Sequence, residues 1–302
     1  MSTTKIAPSH NPFAPELILD AKATLGEGAL WDVTTKRLFW VDILQSQLHR
    51  FDPATKSDEV FDVGEHVGTV VTAAKGGVML AVKRGFAHYN LETKVLKLVA
   101  EPEKGKDGLR FNDGKCDPKG RFWAGSYAYN DAPGAGTLFR LDPDGSVKTM
   151  EKNVTCSNGL AWDLWRRLFY FIDSGTKSIV AYDYNHADGA IDHKRVVVQC
   201  TPEDGVPDGM AIDVDGKLWV AHWGGSQIVR WDPDTGRALK RIKVPVSQPT
   251  ALAFGGNRLD KLYITSARLG LTDAQLLKEP QAGGLFVVTP GICGVEQTPY
   301  AG

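Results

Sequence analysis

Four oxygen-bearing side chains take the same place in four copies of a pattern that recurs along the chain. They are Glu27, Asn112, Asn158 and Asp208. Carboxylate and amide oxygens are the ligands that hard divalent cations such as Ca²⁺, Mg²⁺ and Mn²⁺ prefer. Two carboxylates that face one small space repel each other unless a positive charge lies between them. We therefore expect Glu27, Asn158 and Asp208 to hold one divalent ion.

A turn is the simpler explanation for any one Asp or Asn that precedes a glycine, as in Asn158-Gly159 and Asp208-Gly209. That explanation does not cover Glu27, because glutamate has no turn preference. It also does not explain why the polar residue returns at one position of the repeat. The recurrence therefore favours a shared site over independent turns.

The pattern that positions these residues is clearest between Val206 and Gly236. Apolar or alternating runs predict three short strands, at 210–214, 217–222 and 227–232, and Gly, Asp and Pro residues separate them. Similar stretches begin at Leu25, Arg110 and Ser157, and weaker ones begin at Val67 and Gln248. The spacing of roughly 40 to 50 residues is typical of four-stranded propeller blades.

Six copies predict an all-β fold, a six-bladed β-propeller with four-stranded blades and a metal site in the central channel. The first strand of each blade lines the channel of a propeller, so equivalent residues share one level around the axis. We expect a single domain over residues 1–302, with a flexible tail at 1–15. The strand-like segment 17–21 is expected to pair with the last blade and close the ring, which removes the exposed sheet edges. A short helix is predicted at 272–278.

Composition excludes several classes of protein. The chain has 302 residues, of which 42% are hydrophobic and 24% charged, and its formal net charge is -1. This balance offers no basic surface for nucleic acid or for an anionic membrane. The first residues lack the apolar core of a secretory signal, and no segment approaches the roughly 18 apolar residues of a membrane helix. The 4 cysteines show no metal-binding spacing, so we expect reduced thiols and a cytoplasmic location.

Four motifs, in this order, resemble the regucalcin (SMP-30)/gluconolactonase family. They are GEGALWD at 26–32, RFNDGK at 110–115, SNGLAW at 157–162 and PDGMAID at 207–213. The similarity covers nearly the whole chain. It implies a six-bladed propeller that hydrolyses sugar-acid lactones of the glucono-, xylono-, arabinono- or galactonolactone type to aldonic acids. It also implies one divalent metal ion, which can be Ca, Zn, Mn, Mg or Fe.

The resemblance implies a role for each matching residue. Glu27, Asn158 and Asp208 would bind the metal, and Asp208 would also act as the general base. Arg110 and Asn112 would contact the substrate. One departure concerns Tyr127, because the family usually has Met at this position. A polar residue of the loop that follows can touch substrate in the family, so we count Tyr127 as a substrate-binding candidate.

Other roles remain open. The same channel would suit a regulatory calcium-binding propeller without catalysis, or an esterase or organophosphatase on the same metal centre. The expected partner is a small-molecule sugar lactone, with no nucleic acid and no membrane, and no feature indicates an oligomeric state. His222 either lines the channel mouth or simply ends a strand, and Trp223 is a candidate to stack on a sugar ring. The core is expected to contain Trp123, Phe169 and Trp219.

Overall fold

The computed structural model describes residues 14–302, so the expected tail at 1–15 lies almost entirely outside the described residues. Within this range, the strands form six antiparallel sheets of four strands each. Each sheet is one blade of a β-propeller. The predicted fold class is therefore confirmed.

The first three blades follow the chain in order. Blade one contains β2 (Gly26–Asp32), β3 (Arg37–Asp42), β4 (Gln47–Asp52) and β5 (Ser57–Asp62). Blade two contains β6 (Val67–Thr72), β7 (Val78–Val82), β8 (Gly85–Tyr89) and β9 (Leu96–Ala100). Blade three contains β10 (Leu109–Cys116), β11 (Phe122–Ala128), β12 (Gly136–Leu141) and β13 (Val147–Val154).

The remaining blades complete the ring. Blade four contains β14 (Ser157–Asp163), β15 (Leu168–Asp173), β16 (Ser178–Tyr184) and β17 (Ile191–Gln199). Blade five contains β18 (Val206–Ile212), β19 (Leu218–Trp223), β20 (Gln227–Asp232) and β21 (Arg237–Lys243). Blade six contains β22 (Pro249–Gly255), β23 (Lys261–Ser266), β24 (Leu285–Val288) and, as its outer strand, β1 (Glu16–Leu19).

The N-terminal strand closes the ring. β1 pairs antiparallel with β24, which confirms the closure predicted from the sequence. Each inner strand packs against the inner strand of the next blade, and β22 packs against β2. Trp31 stacks on Tyr263 across this last boundary, with ring centroids 5.4 Å apart. The burial of large rings at the blade boundaries stabilises the closed ring because apolar surface leaves water there.

The remaining short elements lie between strands. The short helix α1 (Asp273–Lys278) lies in blade six and confirms the prediction at 272–278. Two 3-10 turns occur at Ser174–Thr176 and Pro202–Asp204. Among residues 14–302, no helix combines the length and the apolar character that spanning a bilayer requires.

Aromatic side chains fill the space between blades. Trp123, Phe169 and Trp219 are fully buried, at 0% exposure, as the sequence predicted. Trp123 of blade three lies 5.0 Å from Phe169 of blade four, measured between ring centroids. These contacts fix the angle between neighbouring blades, and therefore the width of the channel that their inner strands line.

A β-bulge interrupts each of the six inner strands at the same place. The register shifts between Glu27 and Leu30 in β2, between Ser157 and Leu160 in β14, and between Pro207 and Met210 in β18. The inner strands β6, β10 and β22 shift at the corresponding positions. A bulge inserts an extra residue and turns the side chain beside it away from the ordinary alternation. Because the bulge recurs in every inner strand, it places the candidate site residues at the same height along the channel axis.

We call the face of the ring where the inner strands begin the upper face, and the opposite face the lower face. Residues 289–302, which we call the C-terminal strap, cross the lower face. Val214 N donates to Cys293 O (3.1 Å) in blade five, and Tyr300 N donates to Thr72 O (2.8 Å) in blade two. Because these blades lie on opposite sides of the ring, the strap covers the lower end of the channel. The site residues, near the starts of their strands, lie toward the upper face.

Four predicted strand limits in blade five were wrong. β18 ends at Ile212 and not at Val214, and β19 begins at Leu218 and not at Lys217. β18 begins at Val206, whereas the sequence predicted a start at Met210, so Asp208 lies inside the strand and not before it. The reason is the bulge, since Asp208-Gly209 has the composition of a turn although the strand continues through it. β19 likewise extends to Trp223, one residue past the predicted end at His222.

Candidate functional site

Five predicted site residues come together from four inner strands near the upper end of the channel. β2 supplies Glu27, β10 supplies Arg110 and Asn112, β14 supplies Asn158, and β18 supplies Asp208. All five are buried, with exposures between 4% for Asn158 and 6% for Arg110. Burial of this many polar side chains is costly unless each one finds a partner.

Hydrogen bonds connect three of these residues into one network. Arg110 Nη1 donates to Asn112 Oδ1 (2.6 Å) and to the Phe111 carbonyl (3.0 Å). Asn112 Nδ2 donates to Asn158 Oδ1 (2.9 Å) and to the Ser157 carbonyl (2.7 Å). Both protons of the Asn112 amide are therefore used within the protein, and its orientation is fixed from both sides.

The network continues from Asn158 to the strand that carries Asp208. Asn158 Nδ2 donates to Ser174 Oγ (2.7 Å), and Ser174 Oγ donates to the Pro207 carbonyl (2.6 Å). Ser174 was not among the residues predicted from the sequence. No recurrence marks it, because the position lies in the turn after β15 and not in an inner strand.

Tyr127 lies beside Arg110 at the upper end of the channel. It belongs to β11, where its backbone pairs with that of Arg110, and the guanidinium carbon lies 4.7 Å from the centre of its ring. Its hydroxyl donates to Asp131, in the loop that follows β11. A second loop residue, Tyr129, lies with its hydroxyl 2.7 Å from His66 Nδ1 of blade two. These contacts hold the β11–β12 loop over the boundary of blades two and three.

The two carboxylates of the site have strongly perturbed proton affinities. Burial, and then the negative charge of Asp113, raises the pKa of Glu27 to about 8. Burial raises the pKa of Asp208 well above its usual value, and the charges of Glu27 and Asp113 add to this effect. Arg110 opposes the increase at both carboxylates, although its own pKa is lowered by burial. Each carboxylate therefore lacks sufficient positive charge in its surroundings.

A divalent cation fits this donor set. Asp208 Oδ1 is buried and has no hydrogen-bond partner among the described residues. Glu27 accepts only a long hydrogen bond from its neighbour Gly28 N, at 3.3 Å, among the bonds of residues 14–302. Asn158 presents Oδ1, whose second lone pair stays open after the contact with Asn112. Within the described residues no group of three or more His, Cys, Asp or Glu side chains can hold a metal, so a site here requires the Asn158 amide oxygen.

A second pair of charged residues lies below the site. Asp113 and Lys115 are on β10, and Lys115 Nζ donates to the Met210 carbonyl (2.7 Å). Burial raises the pKa of Asp113 and lowers that of Lys115, and each charge opposes the shift of the other. A cavity of about 10 Å³, which Gln297 of the C-terminal strap helps to line, separates this level from the strap. Neither residue was predicted from the sequence, although both lie within the RFNDGK motif.

The inner-strand threonines of blades two and six, Thr69 and Thr250, do not join the network. Thr69 Oγ1 donates to the Gly114 carbonyl (3.1 Å), and Thr250 Oγ1 donates to the Gly26 carbonyl. Each hydroxyl therefore ties its inner strand to the inner strand of the next blade. Their role is to hold the ring together around the site.

His222 does not line the channel mouth. It is fully buried at 0% exposure, and its Nε2 accepts a hydrogen bond from Trp231 Nε1 (3.1 Å) within blade five. The alternative interpretation, a residue near a strand end, is the one that the structure supports. Trp223 is only half-buried and packs against the apolar cluster that contains Leu25 and Ala267, so its indole borders the upper face.

Comparison with known proteins supports the assignment that the motifs suggested. The family model described as SMP-30/Gluconolactonase/LRE-like region matches residues 25–268. The chain belongs to the SMP-30/gluconolactonase/LRE-like family. The match includes every candidate site residue, from Glu27 to Asp208.

Individual relatives extend the similarity to almost the whole chain. "Putative sugar lactone lactonase YvrE" of Bacillus subtilis (strain 168) is 40% identical over 94% of this chain and 97% of its own length. Regucalcin of Bos taurus is 38% identical over 95% of this chain and 98% of its own length. A crystal structure of regucalcin from Agrobacterium tumefaciens, described as a calcium-binding protein, is 28% identical with a TM-score of 0.91. That alignment covers 96% of this chain and 98% of the other.

Family membership therefore places the chain among gluconolactonase- and regucalcin-like propellers. Members of the SMP-30/gluconolactonase/LRE-like family carry both enzyme names and calcium-binding names. The choice between these activities depends on the chemistry of the site.

Proposed function

We propose that this protein hydrolyses the lactones of sugar acids, with one divalent cation held by Glu27, Asn158 and Asp208. The observation that carries the proposal is the unpaired, buried Oδ1 of Asp208 in a site that also contains Glu27. An acid in this state needs either a cation or a proton. The Bacillus relative, which is named as a sugar lactone lactonase, supports lactones as the substrate class.

The three ligands supply oxygen only. Such a set favours hard cations, of which Ca²⁺, Mg²⁺ and Mn²⁺ are the common ones, and it also admits Zn²⁺ and Fe²⁺. When bound, the cation polarises the carbonyl of the lactone and stabilises the negative charge that develops on its oxygen. The name of the Agrobacterium regucalcin supports Ca²⁺ as one candidate.

Asp208 is the proposed general base. Asp208 can serve as both ligand and base when one of its carboxylate oxygens binds the cation and the other takes the proton of the water molecule that attacks the lactone carbonyl. The bond from the carbonyl carbon to the ring oxygen then breaks. The proton returns to that oxygen, which leaves as the hydroxyl of the aldonic acid. The reaction consumes one water and needs no other co-reactant.

Arg110, Asn112 and Tyr127 are proposed to bind the sugar. The two hydrogen bonds of Arg110 among the described residues both use Nη1, so Nε and Nη2 remain available as donors for sugar hydroxyls. The Asn112 amide has no proton left, and the contact that it can offer to substrate is the second lone pair of Oδ1. Tyr127 adds an aromatic face beside Arg110.

The alternative is a regulatory propeller that binds calcium without catalysis. The name of the Agrobacterium relative favours it. The two functions differ in the role of Arg110, whose buried guanidinium has no carboxylate at ion-pair distance among the described residues and so has little purpose in a site that only binds calcium. An esterase or organophosphatase on the same metal centre would also use Arg110 differently, because neither substrate presents a row of hydroxyls.

The test is proton release from glucono-, xylono-, arabinono- and galactonolactones in a pH-stat. The protein is measured as purified, after chelation, and after single additions of Ca²⁺, Mg²⁺, Mn²⁺ or Zn²⁺. We expect activity that chelation removes and at least one ion restores. Calcium binding without any turnover would favour the regulatory alternative. Turnover that is unchanged by the chelator would contradict the proposed role of the cation in catalysis.

A further inference from the structure

Ser174 occupies a position where one hydroxyl group contacts the surroundings of two proposed ligands. It begins the 3-10 turn Ser174–Thr176 that follows β15, and it is buried at 8% exposure. Its Oγ lies 2.7 Å from Asn158 Nδ2 and 2.6 Å from the carbonyl of Pro207, the residue before Asp208. It therefore joins blade four to blade five immediately beside the site.

The chemistry of these two contacts fixes the direction of each hydrogen bond. The Pro207 carbonyl has no proton, so the 2.6 Å contact uses the single proton of the Ser174 hydroxyl. Ser174 can then only accept from Asn158. The Asn158 side chain must present its NH₂ group to Ser174, and Oδ1 must face the other way, toward Asn112 and the channel.

This orientation matters because Asn158 is an amide. Its two ends differ: Oδ1 can bind a cation, whereas Nδ2 repels one. A carboxylate has two equivalent oxygens and needs no such control. A device that fixes the orientation is therefore useful at Asn158 and unnecessary at Glu27 and Asp208.

The equivalent positions of the other ligand-bearing blades follow this rule. The residue before each ligand pairs with a residue of the neighbouring strand. The equivalent position is the residue that follows this partner in the sequence. For Glu27, Asn158 and Asp208 these are, respectively, Ile43, Ser174 and Trp223. The two carboxylates have apolar side chains at this position, and the amide has a hydroxyl.

We infer that Ser174 is a positioning residue that holds the Asn158 amide with Oδ1 toward the cation. The inference rests on the proposed function, because it assumes that Asn158 is a ligand. Loss of the hydroxyl removes the acceptor at 2.7 Å from Asn158 Nδ2, so the amide keeps only the bond from Asn112 and a long contact with Cys156 Sγ (3.6 Å), and it leaves the Pro207 carbonyl without its donor. Partners of this kind, outside the ligand set, typically change metal affinity by about 10- to 100-fold.

The first experiment measures Mn²⁺ binding to the full-length protein by titration calorimetry and by electron paramagnetic resonance, without any substrate. We expect Ser174→Ala to bind Mn²⁺ at least about 10-fold more weakly than the wild type. Ser178→Ala is the matched control, because Ser178 is also a buried serine of the same blade and its hydroxyl contacts Thr176 and not a site residue. We expect that control to bind as the wild type does.

Two further variants guard against a general folding defect. Ser174→Thr keeps the hydroxyl and adds a methyl group, and Ser174→Val has the shape of the threonine variant with a second methyl group in place of the hydroxyl. We expect the Thr variant to retain most of the Mn²⁺ affinity and the Val variant to lose it. Circular dichroism and melting temperature report whether each variant is folded. If Ser174→Ala does not fold, the comparison of the Thr and Val variants tests the role of the hydroxyl.

The decisive experiment is a double-mutant cycle with Asn158→Asp. A carboxylate at position 158 presents an oxygen to the cation in either orientation. Ser174→Ala should therefore change Mn²⁺ affinity by less than about 2-fold in the Asn158→Asp background. Equal losses in both backgrounds would show a general structural role and overturn the inference. Wild-type affinity in Ser174→Ala would overturn it as well, while the proposed function would stand. A wild-type protein that binds no Mn²⁺ would overturn both the inference and the proposed ligand set.

Discussion

Asn112 of blade three donates a hydrogen bond of 2.9 Å to Asn158 Oδ1 of blade four. This contact joins the residues that we propose for substrate binding to those that we propose for the cation. Through Arg110 on one side and Ser174 on the other, a continuous chain of hydrogen bonds runs from blade three to blade five. A site fixed in this way before ligand binding loses little free energy in ordering its side chains.

Replacement of Asp208 by Asn is expected to abolish lactone hydrolysis. The amide keeps an oxygen near the cation but cannot accept the proton of the attacking water. A general base typically contributes a factor of about 10² to 10⁴, so we expect kcat to fall by at least about 10². The measurement is initial proton release with a saturating lactone. Asp215→Asn is a suitable control, because Asp215 is an exposed turn residue of the same blade. Turnover at the wild-type rate in Asp208→Asn would remove this residue from the mechanism.

Cation binding is expected to release protons near neutral pH. The pKa of Glu27 is raised to about 8 in the cation-free protein, so at pH 7 most molecules carry a proton on this carboxyl. A cation must displace that proton, and the apparent affinity for Ca²⁺ should therefore increase as the pH rises toward and above 8. Titration calorimetry in buffers of different ionisation enthalpy measures the release directly.

We expect about one proton or more per Ca²⁺ at pH 7, and a value near zero well above pH 9. The Glu27→Gln variant removes this titration and weakens binding. No proton release at pH 7, together with an affinity that does not depend on pH, would contradict the assignment of Glu27 as a ligand.

Gly159 is expected to tolerate no side chain. A Cβ at this position would lie 2.4 Å from Met210 Cβ and 2.8 Å from the Asp208 carbonyl oxygen. The strand that carries Asp208 must shift, so Gly159→Ala should weaken Mn²⁺ binding and lower the free energy of unfolding by about 1 to 3 kcal/mol. Guanidinium unfolding and calorimetry measure the two effects. Gly108→Ala is the control, because a Cβ there meets open space. Unchanged stability and affinity in Gly159→Ala would show that β14 and β18 are not closely packed at the site.

The repeat explains which part of the molecule could be predicted from the sequence. Glu27, Asn112, Asn158 and Asp208 share one position because the bulge of the inner strand recurs in every blade, and a recurring position is visible in the sequence. Ser174 could not be found in this way. Its equivalents are the apolar Ile43 and Trp223, and its partner Pro207 lies 33 residues away in the next blade.

The outer strands and the strap were difficult for a different reason. β17 is exposed along most of its length, so it lacks the apolar alternation that predicts a strand. Residues 289–302 contact blades two, three, five and six through backbone hydrogen bonds that any sequence can make. The closure of the channel at its lower end was therefore visible only in the structure.

His222 is expected to limit stability in acid. Burial lowers its pKa to about 4, whereas a histidine in the unfolded chain titrates near 6.5. Between these values the unfolded state binds more protons than the folded state, so stability that is fully present above pH 6.5 is lost as the pH falls toward 4. The loss attributable to this residue reaches about 3 kcal/mol at pH 4.

His222→Gln cannot titrate, so its unfolding free energy should fall less steeply over this range than that of the wild type. Urea unfolding at half-unit steps from pH 7.5 to 4 measures both slopes, with the exposed His193→Gln as the control. Parallel curves for His222→Gln and the wild type would show that His222 becomes protonated without unfolding.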